Sequence, residues 1–257
     1  MSVTVGILAN VNQNGEIDLC NRWAKPFEKA GIEVRYIPAG SENLNETLES
    51  VHGLLLPGGD SNIHPVFYDH DILESDISSE ELRDIERDKT AIALIQKAYD
   101  LDIPTLGICR GMQEMIVAFG GQLQKLDFSQ INHAAGYEAA LNETGERRQQ
   151  EMDRRVHDIE IQPGGFLDEI YADKTFPVNS IHYEGITEKQ WASIRNEAVR
   201  NVFHIEALAP DGVIEGISAK DKSCVIGVQA HFELEGPLHE ALFGLFFEKV
   251  RKYRQNR

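Results

Sequence analysis

The stretch Thr105-Leu-Gly-Ile-Cys-Arg-Gly-Met-Gln113 decides how this chain is interpreted. Thr105–Ile108 is a short, largely apolar run of the kind that forms a buried strand in a parallel sheet. Gly107-Ile-Cys-Arg-Gly111 then turns directly into a helix that ends near Phe119, where Gly120-Gly121 stops it. A cysteine between two glycines in this strand–turn–helix pattern is typical of a nucleophile elbow, with Cys109 in place of serine.

The elbow gives Cys109 a chemical role that a cysteine elsewhere lacks. The sharp turn strains its backbone, and glycines on either side let strand and helix approach closely. The helix N-terminus favours the thiolate and offers free N–H groups to a developing oxyanion. Cysteines are otherwise most often small buried hydrophobic residues. We interpret Cys20, in a predicted first helix, and Cys224, beside a strand start, in that way.

The first half of the chain alternates strands and helices. A helix is predicted around Ser79–Tyr99, with Ser78 and Glu81 forming a capping box at its start. Three further buried strands precede it, at Val3–Ala9, Glu33–Ile37 and Gly53–Leu56. This alternation favours a parallel, doubly wound sheet with helices on both faces.

The second half predicts short strands joined by turns such as Pro210-Asp-Gly212. These are strands at Val156–Ile161, Val202–Ala207, Val213–Ile217 and Val225–Gln229, followed by a helix at Leu238–Tyr253. We therefore expect an α/β protein, a three-layer α/β/α sandwich whose flavodoxin-like, mostly parallel central sheet is extended by antiparallel strands. Residues 1–257 are expected to form one domain.

Two stretches, 69–89 and 142–155, are strongly polar. The first runs into the predicted helix. The second has no apolar face, so we predict a solvated loop, with an active-site lid as the alternative.

Composition limits the partners of this protein. Its net charge is −17, and no stretch gathers enough Lys or Arg to bind nucleic acid or an anionic membrane. Its three cysteines match neither a disulfide framework nor a zinc pattern. The start of the chain has no basic and apolar leader, and no stretch approaches the ~18–20 apolar residues of a membrane span. We expect a soluble protein in a reducing compartment, the cytoplasm.

A second glycine turn, at Pro57-Gly-Gly-Asp60, ends the predicted strand Gly53–Leu56. In a doubly wound sheet the carboxyl ends of the strands meet at one edge, where ligands bind. Gly58 and Gly59 are therefore expected near Cys109, where a backbone N–H can reach an oxyanion. A plain turn is the alternative.

A thiol nucleophile needs a base that another group orients. His231 follows a predicted strand and has Glu233 two residues on. In an extended segment these two side chains point to the same side, so Glu233 is expected to reach one imidazole nitrogen while the other faces the sulfur. Spacing alone does not decide this, because the chain has nine histidines and 42 acidic residues.

Together these motifs resemble the class I glutamine amidotransferases, and more narrowly the γ-glutamyl-γ-aminobutyrate hydrolase group within the peptidase C26 class. The motifs follow the family's order through nearly the whole chain. They are Pro57-Gly-Gly59, Ser61-Asn-Ile-His-Pro65 with Tyr68, Arg87-Asp88, Gly107-Ile-Cys-Arg-Gly-Met-Gln113, Val178-Asn-Ser-Ile-His182, Ala209-Pro-Asp-Gly-Val-Ile-Glu215 and Gly227-Val-Gln-Ala-His-Phe-Glu233.

The resemblance implies a catalytic triad and no metal or organic cofactor. Cys109 would be the nucleophile, His231 the base and Glu233 the residue that orients it, with the backbone N–H groups of Gly59 and Arg110 as the oxyanion hole. The substrate-binding residues implied by the same resemblance are Gly58, Gln113, Asn179, Ser180, Ile181, His182 and Glu184.

The implied reaction is hydrolysis of a γ-glutamyl amide through a cysteine thioester, which releases glutamate and an amine. Ala230 and Phe232 stand where the family has Trp and Pro, and Tyr183-Glu184 stand where it has an aromatic or His and then Gln. We expect Glu184, if it lines the pocket, to favour a cationic leaving amine. Two alternatives stay open: a glutaminase subunit that delivers ammonia to a separate synthetase, and an inactive binding or regulatory homologue. The expected partner is a small γ-glutamyl substrate, and a homodimer is left open.

Overall fold

The computed structural model describes residues 2–11, 17, 21–69, 84–234 and 236–257. Cys20 and the predicted capping box of Ser78 and Glu81 lie outside the described residues.

One nine-stranded sheet runs through both halves of the chain. Its order is β2 (Glu33–Pro38), β1 (Thr4–Ala9), β3 (Gly53–Leu56), β4 (Thr105–Ile108), β11 (Val225–Val228), β10 (Ile214–Ala219), β9 (Phe203–Leu208), β6 (Arg155–Ile161) and β7 (Thr175–Asn179). The first five strands pair in parallel, and the last four continue the sheet in antiparallel pairs. The predicted mostly parallel sheet with added antiparallel strands is confirmed.

Helices cover both faces of this sheet. They are α1 (Asn21–Lys29), α2 (Leu44–Glu49), α3 (Ile85–Asp100), α4 (Arg110–Ala118), α5 (Ala135–Ala140), α6 (Gly145–Asp153), α7 (Phe166–Ile170), α8 (Glu188–Trp191), α9 (Glu197–Val202) and α10 (Pro237–Asn256). A two-stranded ribbon pairs β5 (Gln124–Lys125) with β8 (Glu184–Gly185). Among the described residues, no helix combines the length and the apolar character needed to cross a bilayer.

The sandwich follows from the alternation of side chains along the central strands. In β3, Leu54 and Leu56 join one hydrophobic core with residues of α3 and α4. Leu55 points the other way, into a second core that contains Phe27 of α1 and Phe246 of α10. All three leucines are fully buried, so the strand is apolar on both faces, as a covered parallel sheet requires.

The predicted start of α3 around Ser79 lies outside the described residues. In the described part of the chain the helix begins at Ile85, where the carboxylate of Asp84 accepts a hydrogen bond of 3.0 Å from the backbone N–H of Arg87 and caps the helix.

The stretch 142–155 was predicted as a solvated loop, and that prediction is wrong, because its centre forms α6. None of the side chains of α6 is buried, so no apolar periodicity marks the helix in the sequence. Polar contacts hold it instead. Arg148 donates to the carbonyl of Ala140 at 2.9 Å, and Arg147 pairs with Glu143 at 3.1 Å.

Candidate active site

Cys109 lies at the turn between β4 and α4 in a strained backbone conformation, with φ 52° and ψ −108°. The flanking glycines make this turn possible. A Cβ atom on Gly107 would lie 2.8 Å from backbone atoms of Gly111, and one on Gly111 would lie 2.1 Å from the carbonyl oxygen of Leu56. The structure thus has the strained strand–turn–helix geometry that the sequence predicts.

His231 and Glu233 lie beside this cysteine. His231 Nδ1 is 2.7 Å from Glu233 Oε1, and the backbone N–H of His231 donates to Asn179 Oδ1 at 3.0 Å. Burial alone would lower the pKa of His231, but the charges of Glu233 and Cys109, with hydrogen bonds to both, raise it to about 10. This environment favours the imidazolium form of His231 beside the sulfur of Cys109.

The contact between His231 and Glu233 arises differently from the prediction. β11 ends at Val228, and the residues after His231 form a turn in which Leu234 N–H donates to the His231 carbonyl at 3.3 Å. The predicted contact is present, but the turn, and not an extended segment, brings the carboxylate to the ring.

The Gly58–Gly59 turn approaches the same site. A Cβ atom on Gly58 would lie 2.9 Å from His231 Cε1 and 3.6 Å from Cys109 Cβ. A Cβ atom on Gly59 would lie 2.7 Å from Arg87 Nη1. Neither position leaves room for a side chain, so the backbone of this turn can come close to a molecule bound at the cysteine.

Arg87 supports this glycine turn through hydrogen bonds to its carbonyl groups. Its guanidinium donates from Nη2 to the carbonyl of Pro57 at 2.5 Å and from Nη1 to the carbonyl of Gly58 at 3.3 Å. The Gly58 carbonyl and the Gly59 N–H belong to one trans peptide group and point in opposite directions. Arg87 therefore fixes the direction of the Gly59 N–H.

A second arginine, Arg110, is the first residue of α4, and its side chain turns away into the protein. Its guanidinium donates to Asp88 Oδ1 at 2.5 Å and to the Ser61 carbonyl at 2.7 Å, and it shares Glu114 with Arg87. Burial raises the pKa of Asp88 to about 6, although Arg110 acts to lower it. What Arg110 can offer a ligand is its backbone N–H, which has no acceptor within the first turn of the helix.

A cavity of about 540 Å³ opens over Cys109. Its wall includes many of the residues predicted for the site, namely Cys109, His231, Gly58, Gly59, Arg110, Gln113, Ile181 and His182. Its size and its mixture of apolar and polar walls are those of a small-molecule site.

Three predicted substrate contacts are not among the described residues that line this cavity. Asn179 supports the base, as described above, and its Nδ2 donates to the Met152 carbonyl at 3.0 Å. Ser180 Oγ is 3.2 Å from His133 Nδ1. Glu184 is buried, and its backbone carbonyl accepts a 2.8 Å hydrogen bond from Gln113 Nε2. The structure therefore gives Glu184 no place in the pocket from which to select a cationic amine.

Other residues of the wall were not predicted. The ring of Trp23, in α1, lies 6.2 Å from the ring of His231. Tyr137 of α5 and Arg148 and Met152 of α6 also line the cavity. No local pattern marks them, because folding brings them to the cavity from distant parts of the chain. The Arg87-Asp88 motif was the one visible signal of the arginine network.

A strained cysteine elbow beside a His–Glu pair, on an α/β/α sandwich, defines a class I glutamine amidotransferase-like hydrolase. The sequence model of one family, peptidase C26, matches residues 4–233, and the chain belongs to this family.

Relatives agree with this assignment, and a solved structure shares the fold. A γ-glutamyl-γ-aminobutyrate hydrolase of Escherichia coli O157:H7 is 31% identical over 209 residues, which cover 80% of this chain and 72% of that protein. A glutamine amidotransferase-like protein of Rickettsia prowazekii is 31% identical over 227 residues, 77% of this chain and 75% of that protein. The glutaminase domain of a Trypanosoma brucei CTPS with bound acivicin shares the fold, with a TM-score of 0.65 over 98% of this chain and 94% of that one at 16% identity.

Proposed function

We propose that this chain is a cysteine-dependent hydrolase of γ-glutamyl amides, with Cys109, His231 and Glu233 as its catalytic residues. The observation that carries the proposal is the buried His231–Glu233 pair next to the strained cysteine, because it supplies a nucleophile and an oriented proton carrier in one place. Peptidase C26 membership and the similarity to a γ-glutamyl-γ-aminobutyrate hydrolase support it.

In the first half of the reaction, the thiolate of Cys109 attacks the γ-carbonyl carbon of the substrate. The oxyanion that forms accepts hydrogen bonds from the backbone N–H groups of Gly59 and Arg110, each worth roughly 10²–10³ in rate. The carbon–nitrogen bond then breaks while the His231 imidazolium gives its proton to the leaving amine. A γ-glutamyl thioester and a neutral imidazole remain.

In the second half, water attacks the thioester carbonyl, and His231 takes the proton of that water. The carbon–sulfur bond breaks, glutamate leaves, and the thiolate–imidazolium pair is restored. Glu233 keeps its charge throughout and holds the imidazole in the tautomer that presents Nε2 to the reacting atoms. The mechanism depends on a reduced thiol, in keeping with the predicted cytoplasmic location.

The test of the catalytic assignment is Cys109→Ala. We expect this variant to lose turnover of γ-glutamyl amides and to keep its Tm, since the side chain becomes only slightly smaller. Cys224→Ala is the matched control: Cys224 is fully buried, and burial raises its pKa to about 12, so its thiol is inert. Full activity of Cys109→Ala would disprove the proposal.

The cavity wall suggests which kind of amine leaves. The leaving amine would also carry a negatively charged group. Arg148 is half-buried on this wall, whereas the acidic Asp60 is exposed there and more strongly screened by solvent. We therefore propose that Arg148 pairs with a carboxylate of the leaving amine. This reverses the cationic preference that Glu184 would give.

Three substrates with leaving amines of similar length separate these ideas: γ-glutamyl-γ-aminobutyrate, γ-glutamylputrescine and γ-glutamylbutylamine. We expect the highest kcat/KM for the first, and we expect Arg148→Gln to reduce that advantage by about tenfold, the loss of one partly exposed ion pair. Arg147→Gln is the control, because Arg147 is 72% exposed on the same helix. A preference for putrescine that Arg148→Gln leaves unchanged would refute the role of Arg148.

The two alternatives become distinct outcomes of the same measurements. Turnover of free glutamine only after a synthetase is added would indicate a glutaminase subunit. Labelling of Cys109 by a γ-glutamyl electrophile without turnover of any amide would indicate an inactive homologue.

A further inference from the structure

A second buried polar cluster lies on the antiparallel side of the sheet, and the proposed reaction does not use it. We call it the histidine cluster: His133 before α5, His157 in β6, His182 between β7 and β8, and Glu215 in β10. The four side chains are at most 4% exposed. A buried carboxylate such as that of Glu215 needs compensating hydrogen bonds or a positive charge.

The three rings converge on one carboxylate oxygen. Glu215 Oε1 lies 3.4 Å from His133 Nδ1, 3.6 Å from His157 Nε2 and 3.6 Å from His182 Nε2. The ligand atoms of His133, His157 and Glu215 all lie within 4.8 Å of one another, and His182 lies outside this group of three and approaches it through Glu215. In a tetrahedral zinc site with bonds of about 2.0–2.1 Å, neighbouring ligand atoms are separated by about 3.4 Å. The observed spacing from Glu215 is close to that value.

The opposite nitrogen of each ring is already engaged. His133 Nε2 is 3.0 Å from Asp211 Oδ2, His157 Nδ1 is 3.0 Å from the Asp158 carbonyl, and His182 Nδ1 is 3.1 Å from the Glu184 carbonyl. Carboxylate and carbonyl oxygens only accept hydrogen bonds, so each ring, when it is neutral, carries its proton on that outer nitrogen. The inner nitrogens then present lone pairs, as in the carboxylate–histidine–metal arrangements of known sites.

These lone pairs face a carboxylate. Within the described part of the chain, His157 Nε2, His182 Nε2 and both oxygens of Glu215 make no hydrogen bond of normal geometry. Among the described residues, His133 Nδ1 has a further neighbour, the hydroxyl of Ser180 at 3.2 Å. A cation placed among these nitrogen atoms and the buried carboxylate would compensate the negative charge of Glu215.

We propose that His133, His157, His182 and Glu215 bind one zinc ion. Imidazole nitrogens with one carboxylate suit zinc, whereas magnesium and calcium prefer sets made of oxygen. Four buried protein ligands complete a tetrahedral shell and leave no position for substrate, so the ion is structural. The family resemblance implied that the protein holds no metal, and this proposal replaces that expectation. It does not depend on the proposed hydrolase activity.

The ion would brace one wall of the cavity. His182 lies between Ile181 and Tyr183, which both line the cavity, and Asn179 in the same segment holds the backbone of His231. Zinc ties this segment to β6 and β10. Loss of zinc should therefore lower the Tm and raise KM more than it lowers kcat.

The test is metal content. The Cys109→Ala protein, purified without a histidine tag, is incubated with zinc, desalted and analysed by mass spectrometry for metals, so that zinc at the active-site thiol cannot contribute. We expect about one zinc per chain, an X-ray absorption spectrum with nitrogen and oxygen neighbours at about 2.0–2.1 Å, and a lower Tm after chelation. Less than a tenth of an equivalent of zinc in this folded protein would overturn the proposal.

Two variants assign the ligands. His157→Gln and Glu215→Gln should each lose at least ten times in zinc affinity. His239→Gln, a histidine on α10 outside the cluster, should retain the metal. Zinc retained equally by all three variants would place the ion elsewhere and refute the assignment. Metal content is measured without substrate. A failure of the zinc proposal is therefore distinguishable from a failure of the proposed hydrolase function.

Discussion

Replacing Glu233 by Gln tests the charge that the structure places behind the catalytic base. The change keeps the shape of the side chain and removes its charge. The pKa of His231 is about 10 against an ordinary 6.5. At about 1.4 kcal/mol per pH unit, the imidazolium is stabilised by about 5 kcal/mol in total. Glu233 and Cys109 share this stabilisation.

If Glu233 supplies about half of this stabilisation of the imidazolium, the loss of its charge costs about 2–3 kcal/mol, which corresponds to a decrease in kcat/KM of about 10²-fold. The pKa of His231 should then fall by about two units. Because a raised histidine pKa keeps the imidazolium up to that pH, activity of the wild-type enzyme should decline only near pH 10. In Glu233→Gln the decline should begin near pH 8.

The assay is kcat/KM for a γ-glutamyl amide from about pH 6 to about pH 10.5, within the range where the Tm shows a folded protein. Glu240→Gln, an exposed acid in the first turn of α10, is the control and should leave the profile unchanged. An alkaline limb of Glu233→Gln that coincides with that of the wild type would refute the reasoning, even if the rate were lower, because the charge would then not set the pKa of His231.

Three further substitutions and one control test the framework around the site. Arg87→Lys cannot hold two adjacent carbonyls, so kcat should fall by about 10–100-fold with little change in KM. A rise in KM of that size with an unchanged kcat would contradict this. Asp84→Ala removes the cap of α3, and urea unfolding should show a loss of about 1 kcal/mol in unfolding free energy; unchanged stability would show that the cap contributes nothing. Gly111→Ala places a Cβ atom 2.1 Å from the Leu56 carbonyl oxygen and should prevent folding. Gly244→Ala, on a helix with open space around it, should keep or slightly raise the Tm, and equal behaviour of these two glycine variants would argue against the close approach at the elbow.

The parts of the fold that the sequence predicted are those with a strong local signal. β3 and β4 are runs of four buried residues, and their bounds match the prediction. β7 was not predicted, because only its last two residues are buried and Pro177 interrupts it, which is tolerated at the edge of a sheet. α6 buries no side chain, so its period could not be seen. Hydrophobic periodicity predicts an element only when the element has a face to bury.

The functional residues also differ in how well a local sequence signal predicts them. The elbow is a local motif, because strand, turn and helix follow one another and the glycines mark the close approach. The histidine cluster is not a local motif, since its ligands come from four separate segments of the chain, with no regular spacing between His133, His157, His182 and Glu215. The zinc patterns that are visible in a sequence rely on short spacings, usually between cysteines. A composition with few cysteines therefore argued only against that kind of zinc site.

The segment from Asn179 to Glu184 shows why a family motif cannot by itself assign substrate contacts. Consecutive side chains of an extended chain point in opposite directions. Ile181 and Tyr183 line the cavity, and His182 also borders it, but the ring nitrogens of His182 point to the histidine cluster and to a backbone carbonyl. A motif of six residues thus serves the base, the wall and the buried cluster at once. The side chains that discriminate between leaving amines must then be sought where this segment faces α6, and Arg148 is the charged residue there.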